Sequence, residues 1–188
     1  MNNHTTSIAT NKKHHYRELL SIGFPIIIGQ LGTIILGFAD TLMIGHHSTP
    51  ELAAAGLVNN IFGLVFVSYM GFTYGLTPII GKLYGEERTD CIGQKVRNSF
   101  IANMLTGAIF TAALILLYLN LAHIGQPEEL LSLIRPYFLV NLASVLFMGI
   151  FFTMKQFLDG IGKTKVAMWA MIGGNVVNIL GNWVLIYG

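Results

Sequence analysis

One carboxylate and a group of carboxamides, all set in apolar sequence, are the side chains of this chain best suited to chemistry. That chemistry is the reversible binding of a small cation or a proton. Asp40 is the acidic residue that lies well inside an uncharged stretch. A charged Asp at a bilayer centre costs ~2.5–3.5 kcal/mol on insertion scales, so such a residue faces a cavity or a partner. Asn175, Asn178 and Asn182 are spaced by three and four residues. That spacing keeps neighbours within ~60° of one another on a helix, and so on one face. Asn59, Asn60 and Asn141 are further carboxamides in apolar surroundings. Intramembrane Asn side chains also hydrogen-bond simply from helix to helix, at ~0.6–2 kcal/mol each. Three on one face at the depth of a carboxylate point instead to a polar cavity suited to a cation.

The elements that must position these groups follow from composition. The chain has 188 residues, 53% hydrophobic and only 11% charged, against about 25% charged in a soluble domain. Its mean hydropathy is +0.62. Leu19–Ala39, Leu52–Gly81, Asn98–Pro127, Pro136–Met154 and Val166–Gly188 contain no Asp, Glu, Lys or Arg. Each gap holds the ~17–25 residues of a membrane-crossing helix. The expectation is an all-α membrane protein. About five transmembrane helices, at 19–45, 52–80, 97–120, 132–156 and 166–187, follow a tail over 1–18. No period-two alternation supports a β-barrel. The first apolar run is too long, and lacks the cleavage site, for a secretory signal.

Orientation follows from the cations. Lys12, Lys13 and Arg17 lie in the tail; Lys82, Arg88, Lys95 and Arg97 in the second-to-third connection; Lys155, Lys163 and Lys165 in the fourth-to-fifth. Only Arg135 falls on the other side. The N-terminus is therefore expected in the cytoplasm. In that topology Asp40, Asn59, Asn60, Asn141, Asn178 and Asn182 all fall in the outer half of the bundle. Trp183 and Tyr187 match an outer aromatic belt, Tyr16 and Tyr84 an inner one. Pro25 lies within the first helix, where its missing N–H and ring should bend the chain. Gly173, Gly174 and Gly181 suggest close helix contact along the last helix.

Other chemistries fare worse. His4, His14, His15, His46, His47 and His123 sit in the tail or loops, so no metal triad is evident, and a metal role is limited to transient Na⁺ at Asp40. The single Cys91 forms no intrachain disulfide. A net charge of +2 is too small for a nucleic-acid binder. There is no nucleophile elbow, and Gly160–Thr164 lacks the spacing of a phosphate loop, reading instead as a turn between helices. No enzyme and no cofactor are expected.

The order of residues resembles one transporter family. Pro25, Gly29-Gln30 and Phe38-Ala39-Asp40-Thr41-Leu42-Met43-Ile44-Gly45 resemble the first helix of multidrug and toxic compound extrusion (MATE) transporters, in particular the NorM-like branch. Leu52-Ala53-Ala54-Ala55, Gly75-Leu76-Thr77-Pro78-Ile79-Ile80-Gly81 and Tyr84-Gly85 resemble that family's second helix and inner loop. Gln156-Phe157-Leu158-Asp159-Gly160-Ile161-Gly162-Lys163-Thr164 is similar to its fourth-to-fifth connection. Asn175 through Trp183 resembles its fifth helix.

The resemblance implies a cation-coupled antiporter of a bacterial inner membrane, exporting cationic amphiphilic drugs against Na⁺ or H⁺ by alternating access between two six-helix lobes. Asp40 matches the family's first-helix carboxylate, and Asn178 and Asn182 the polar positions beside it. Asn59, Asn60, Asn141 and Asn175 would line the substrate cavity. Such transporters have about twelve helices, so this chain corresponds to most of an N-terminal lobe. Its partners would be the lipid bilayer, the drug, and a C-terminal lobe in cis or a second chain. A related flippase for lipid-linked oligosaccharide and a non-transporting scaffold subunit stay open as alternatives.

Overall fold

The computed structural model describes the backbone of residues 3–125 and 127–187, and side chains within 16–184 apart from Ile124 and Gln126. Lys12, Lys13, His4, His14, His15 and Tyr187, named above, lie outside the described side chains. Among the described residues there are six α-helices and no strands: α1 Asn3–His47, α2 Thr49–Thr73, α3 Leu76–Gly85, α4 Ile92–Leu119, α5 Glu128–Gly160 and α6 Thr164–Tyr187. Four stretches of these are long and apolar enough to cross a membrane: Tyr16–His47, Thr49–Gly85, Thr89–Leu119 and Glu128–Gly160. α6 is on average as apolar as α2, and it lies alongside α1.

Local signals explain the joints. Only Ser48 separates α1 from α2. Its hydroxyl accepts from the Glu51 N–H at 3.4 Å, and Pro50 occupies the first turn, where a missing N–H costs nothing. The apolar run expected as one second helix is divided at Tyr74 and Gly75. Pro78 follows in the first turn of α3, the position a helix tolerates. α3 ends where Glu87 takes a left-handed backbone, φ 58°, with Arg88 N–H reaching Leu83 O at 3.0 Å and Glu87 N–H reaching Tyr84 O at 3.2 Å. The same paired bonds close α5: Lys163 N–H to Leu158 O at 2.9 Å and Gly162 N–H to Asp159 O at 3.1 Å. There the left-handed residue is Gly162, φ 73°, at no steric cost. Gly160 to Thr164 is thus a helix-ending turn, as its sequence suggests.

The core sits in α2, α4 and α5. Val58, Phe62, Tyr69, Leu114, Ile134, Phe138 and Val145 are buried there, with Phe62 and Phe138 edge to face at 4.9 Å. Tyr69 runs into a slot made by two glycines. A Cβ at Gly107 would lie 2.9 Å from its hydroxyl, and one at Gly149 would collide with both Tyr69 and Met104. The Tyr69 hydroxyl donates to the Asn103 carbonyl. The Asn103 amide donates to Thr153 Oγ1 at 2.7 Å, and that hydroxyl donates to Gly149 O at 2.7 Å. Each donor in this chain of bonds is spent on a neighbour, as burial demands.

α1 stands apart from this core and packs chiefly on α6. The two helices run parallel in one register: Gly29 faces Met171 and Gly32 faces Asn175, while Asp40 bonds to Asn182. A Cβ at Gly29 would be 3.1 Å from Met171 Sδ, and one at Gly32 would be 3.0 Å from Asn175 Nδ2. The small residues that let the helices approach are therefore on α1. Gly173, Gly174 and Gly181, expected to do this from α6, have nothing within 4 Å. α1 remains helical through the buried Pro25. Lys155 also departs from expectation: α5 continues to Gly160, so Lys155 lies inside that helix, 6% exposed. It pairs with Asp159 at 2.8 Å one turn on, the mutual compensation that two buried charges require.

Candidate functional site

Four helices converge on a cavity of about 500 Å³ at the end of the bundle that holds the α1–α2 joint. α1 contributes Asp40 and Ile44; α2 contributes Glu51, Ala54 and Ala55. α5 contributes Tyr137, Val140 and Asn141 among others, and α6 contributes Asn178 and Asn182. The small side chains of Ala54 and Ala55 leave the space, and the periodicity of α6 delivers Asn178 and Asn182 to the same wall.

The hydrogen bonds sort the donors from the acceptors. Asn182 Nδ2 donates to Asp40 Oδ1 at 2.8 Å and to Asn178 Oδ1 at 3.0 Å. An amide nitrogen has two protons, so both are used in holding two oxygens. Asn141 Nδ2 donates to its own helix, at Tyr137 O, 2.9 Å away. What remains for a guest is a carboxylate, several carbonyl oxygens and the Asn178 amide nitrogen, which has no acceptor among the described residues. Hard monovalent and divalent cations are bound by such oxygens, and a carboxylate also accepts a proton. The arrangement can thus hold Na⁺ or H⁺ at Asp40 and release it without moving more than an amide.

The cavity collects Asp40, Asn141, Asn178 and Asn182. It does not collect the other three asparagines. Asn59 accepts from the Tyr137 hydroxyl at 3.0 Å, tying α2 to α5 beside the cavity. Asn60 is exposed on α2 and lines neither of the two larger cavities. Asn175 lines a separate cavity of about 370 Å³ with Gln30, Thr33, Lys155, Gln156 and a wall of Phe and Met. One turn of α6 separates Asn175 from Asn178, and the shared face passes from one cavity to the other.

Glu51 is the residue that the search for intramembrane charge missed. It sits one residue before an uncharged gap, and Ser48-Thr49-Pro50-Glu51 carries the pattern of a capping box. In a capping box the glutamate reaches back to the cap N–H. Here the Ser48 N–H already donates to Ile44 O at 3.0 Å. The Glu51 carboxylate is released, lines the cavity, and takes His47 Nδ1 at 2.8 Å. This cavity thus has two carboxylates on its wall.

Comparisons with known proteins agree on the type of molecule. The MatE family model matches residues 25–184. The chain is 31% identical over 173 residues to a probable multidrug resistance protein NorM of Photorhabdus laumondii, covering 92% of this chain and 38% of that protein. It is 30% identical over 186 residues to the corresponding Bacillus subtilis protein, covering 95% and 40%. Among solved structures, a MOP superfamily transporter from Pyrococcus furiosus superposes with a TM-score of 0.81 at 23% identity, over 90% of this chain and 38% of that one. The chain spans about two fifths of the length of the curated relatives it matches.

Proposed function

The chain belongs to the MatE family, and from that premise we propose that it forms most of the N-terminal lobe of a cation-coupled multidrug antiporter in a bacterial inner membrane. The whole transporter exports cationic amphiphilic compounds, and inward movement of Na⁺ or H⁺ drives the export. Asp40 is the coupling carboxylate, with Asn178 and Asn182 completing its polar shell. Asn141 lines the same cavity, and Asn59, Asn60 and Asn175 serve the substrate path around it.

The single observation that supports this reading most is the hydrogen-bonded set Asp40–Asn182–Asn178, facing a cavity and joining α1 to α6. When Asp40 is charged and empty, Asn182 holds it. When it binds a proton or Na⁺, that bond is weakened and α1 is freed against α6. A ligand moves such an equilibrium only by its differential affinity for the two states. Here that difference lies in one amide–carboxylate bond, with Pro25 as the place where α1 bends. The remaining lobe supplies the other half of the alternating path.

The experiment is Asp40→Asn in the full-length transporter, in cells lacking their own efflux pumps. Drug resistance should fall to the level of the empty vector while the protein is made and inserted normally. Unchanged resistance at equal expression would remove Asp40 from the mechanism.

A further inference from the structure

The cations around the α3–α4 connection are not equivalent. Glu86 takes two of them, Lys82 at 3.9 Å and Arg88 at 3.4 Å. Among the described residues no acid lies within ion-pair distance of Lys95 or Arg97. Lys95 borders a cleft of about 330 Å³ between α4 and the break that separates α2 from α3. Lys95, Asn98, Ser99 and Ala102 occupy positions i, i+3, i+4 and i+7 of α4, one continuous stripe. The facing wall is Phe72, Gly75, Leu76 and Ile79. Phe72 and Ile79 are about half exposed, and Gly75 at the break leaves the floor open.

The polar side chains of this stripe are unspent. Ser21, Ser68, Ser132 and Ser144 each donate back to a carbonyl of their own helix, at 2.7–2.8 Å. Ser99 does not, and Asn98 has no protein partner among the described residues. A cation and two neutral donors therefore cluster at one end of the cleft. From Lys95 to Ala102 the helix rises ~10 Å. Over that distance the α4 lining passes from a cation and two neutral donors to Ala102 and Asn103, whose amide is already given to Thr153. The facing wall is apolar throughout. The polar end lies at the face of the bundle where the sequence concentrates its cations.

We propose that this cleft binds an anionic phospholipid of the cytoplasmic leaflet, its phosphate held by Lys95, Asn98 and Ser99 and an acyl chain laid along Phe72 and Ile79. The lone ammonium fits a single phosphodiester charge, and the long stem of Lys95 lets it reach the headgroup level. A soluble phosphate would leave the apolar wall unused, which is why the lipid is the better occupant. The proposal stands independently of the transport reading.

The test uses the purified protein, delipidated and supplied with equal amounts of phosphatidylglycerol and phosphatidylcholine, with the retained lipid counted by native mass spectrometry. The unaltered protein should retain phosphatidylglycerol about fivefold over phosphatidylcholine, the preference expected of one interfacial cation. Lys95→Gln should bring the ratio to near one, and Lys95→Arg should restore it. Arg97→Gln, which removes an equal charge from another face of α4, should leave it unchanged. Glycerol phosphate without acyl chains should not compete. Equal retention of both lipids, an equal loss with Arg97→Gln, or full competition by glycerol phosphate would each overturn the assignment.

Discussion

The α2–α5 bundle and the α1–α6 pair handle polar groups in opposite ways. In the bundle, the Tyr69 hydroxyl, the Asn103 amide and the Thr153 hydroxyl are each spent on a neighbour inside the core. In the pair, Asn182 spends both amide protons on Asp40 and Asn178, and leaves oxygens facing an open cavity. The bundle also excludes space around its polar groups, as Tyr69 fills the slot between Gly107 and Gly149. The pair encloses space, and its contact rests on small residues of one helix. A closed polar network specifies a fold; an open one of similar composition is available to bind. The contrast assigns stability to one region and switching to the other.

The largest effect should come from breaking the bundle at its tightest point. Gly149→Val puts side-chain atoms where Tyr69 and Met104 already are, and overpacking of this kind costs several kcal/mol when backbone must move. No monodisperse protein should survive solubilisation. If Gly149→Val is recovered folded, the bundle is not the rigid half. The complementary change in the pair is Asn182→Ala, which removes the donor that fixes Asp40 and the one that holds Asn178. It should lower the ion concentration for half-maximal transport about tenfold, because the empty carboxylate loses the donor that competes with the ion, with thermal stability close to unaltered. A drop in stability without a change in ion dependence would reverse the roles of the two regions.

Smaller changes sharpen the same line. Tyr69→Phe removes one buried hydrogen bond and keeps the ring, so a loss of ~1 kcal/mol is expected, seen as a lower melting temperature with ion dependence intact. Gly32→Ala brings a methyl to 3.0 Å from the end of the Asn175 side chain, which can swing aside. It should cost well under ~1 kcal/mol, an order less than Gly149→Val. The smallest effect is a gain. Glu87 holds a left-handed backbone, and Glu87→Gly should raise stability by about 0.5–1 kcal/mol.

How much of this was legible in the residues depended on whether a group acts within its own helix or across several. Asp40, Asn178 and Asn182 were readable because charge in an apolar run and a three–four spacing are local patterns. The burial of Lys155 and the extension of α5 beyond 156 were not, because the ion pair with Asp159 that makes burial tolerable closes only once the helix is built. The split between α2 and α3 did leave a signal, Gly75 with Pro78 three residues later, which apolarity on both sides obscured. Glu51 was missed because it sits one residue outside the uncharged run, where the capping-box pattern of Ser48 to Glu51 would also give it a structural use. Only the Ser48 N–H bond to Ile44 shows that this use is already taken. The separation of Asn175 from Asn178 into two cavities depends on what α1 and α5 place opposite them, which no spacing within α6 encodes.

Ser48 is the sole residue between α1 and α2, and its N–H and C=O are both bonded, to Ile44 O and from the Leu52 N–H, each at 3.0 Å. The corner is thus a welded elbow rather than a flexible hinge. Asp40 lies seven residues before His47, the last residue of α1, while Glu51 lies three residues past Ser48, so the rim of the cavity is fixed to this elbow and its floor is not. Occupancy of the floor can then change while the width of the doorway stays constant. For the cation binding proposed at Asp40, arrival rate and residence time would then be separate quantities, the first governed by the elbow and the second by the amide on α6.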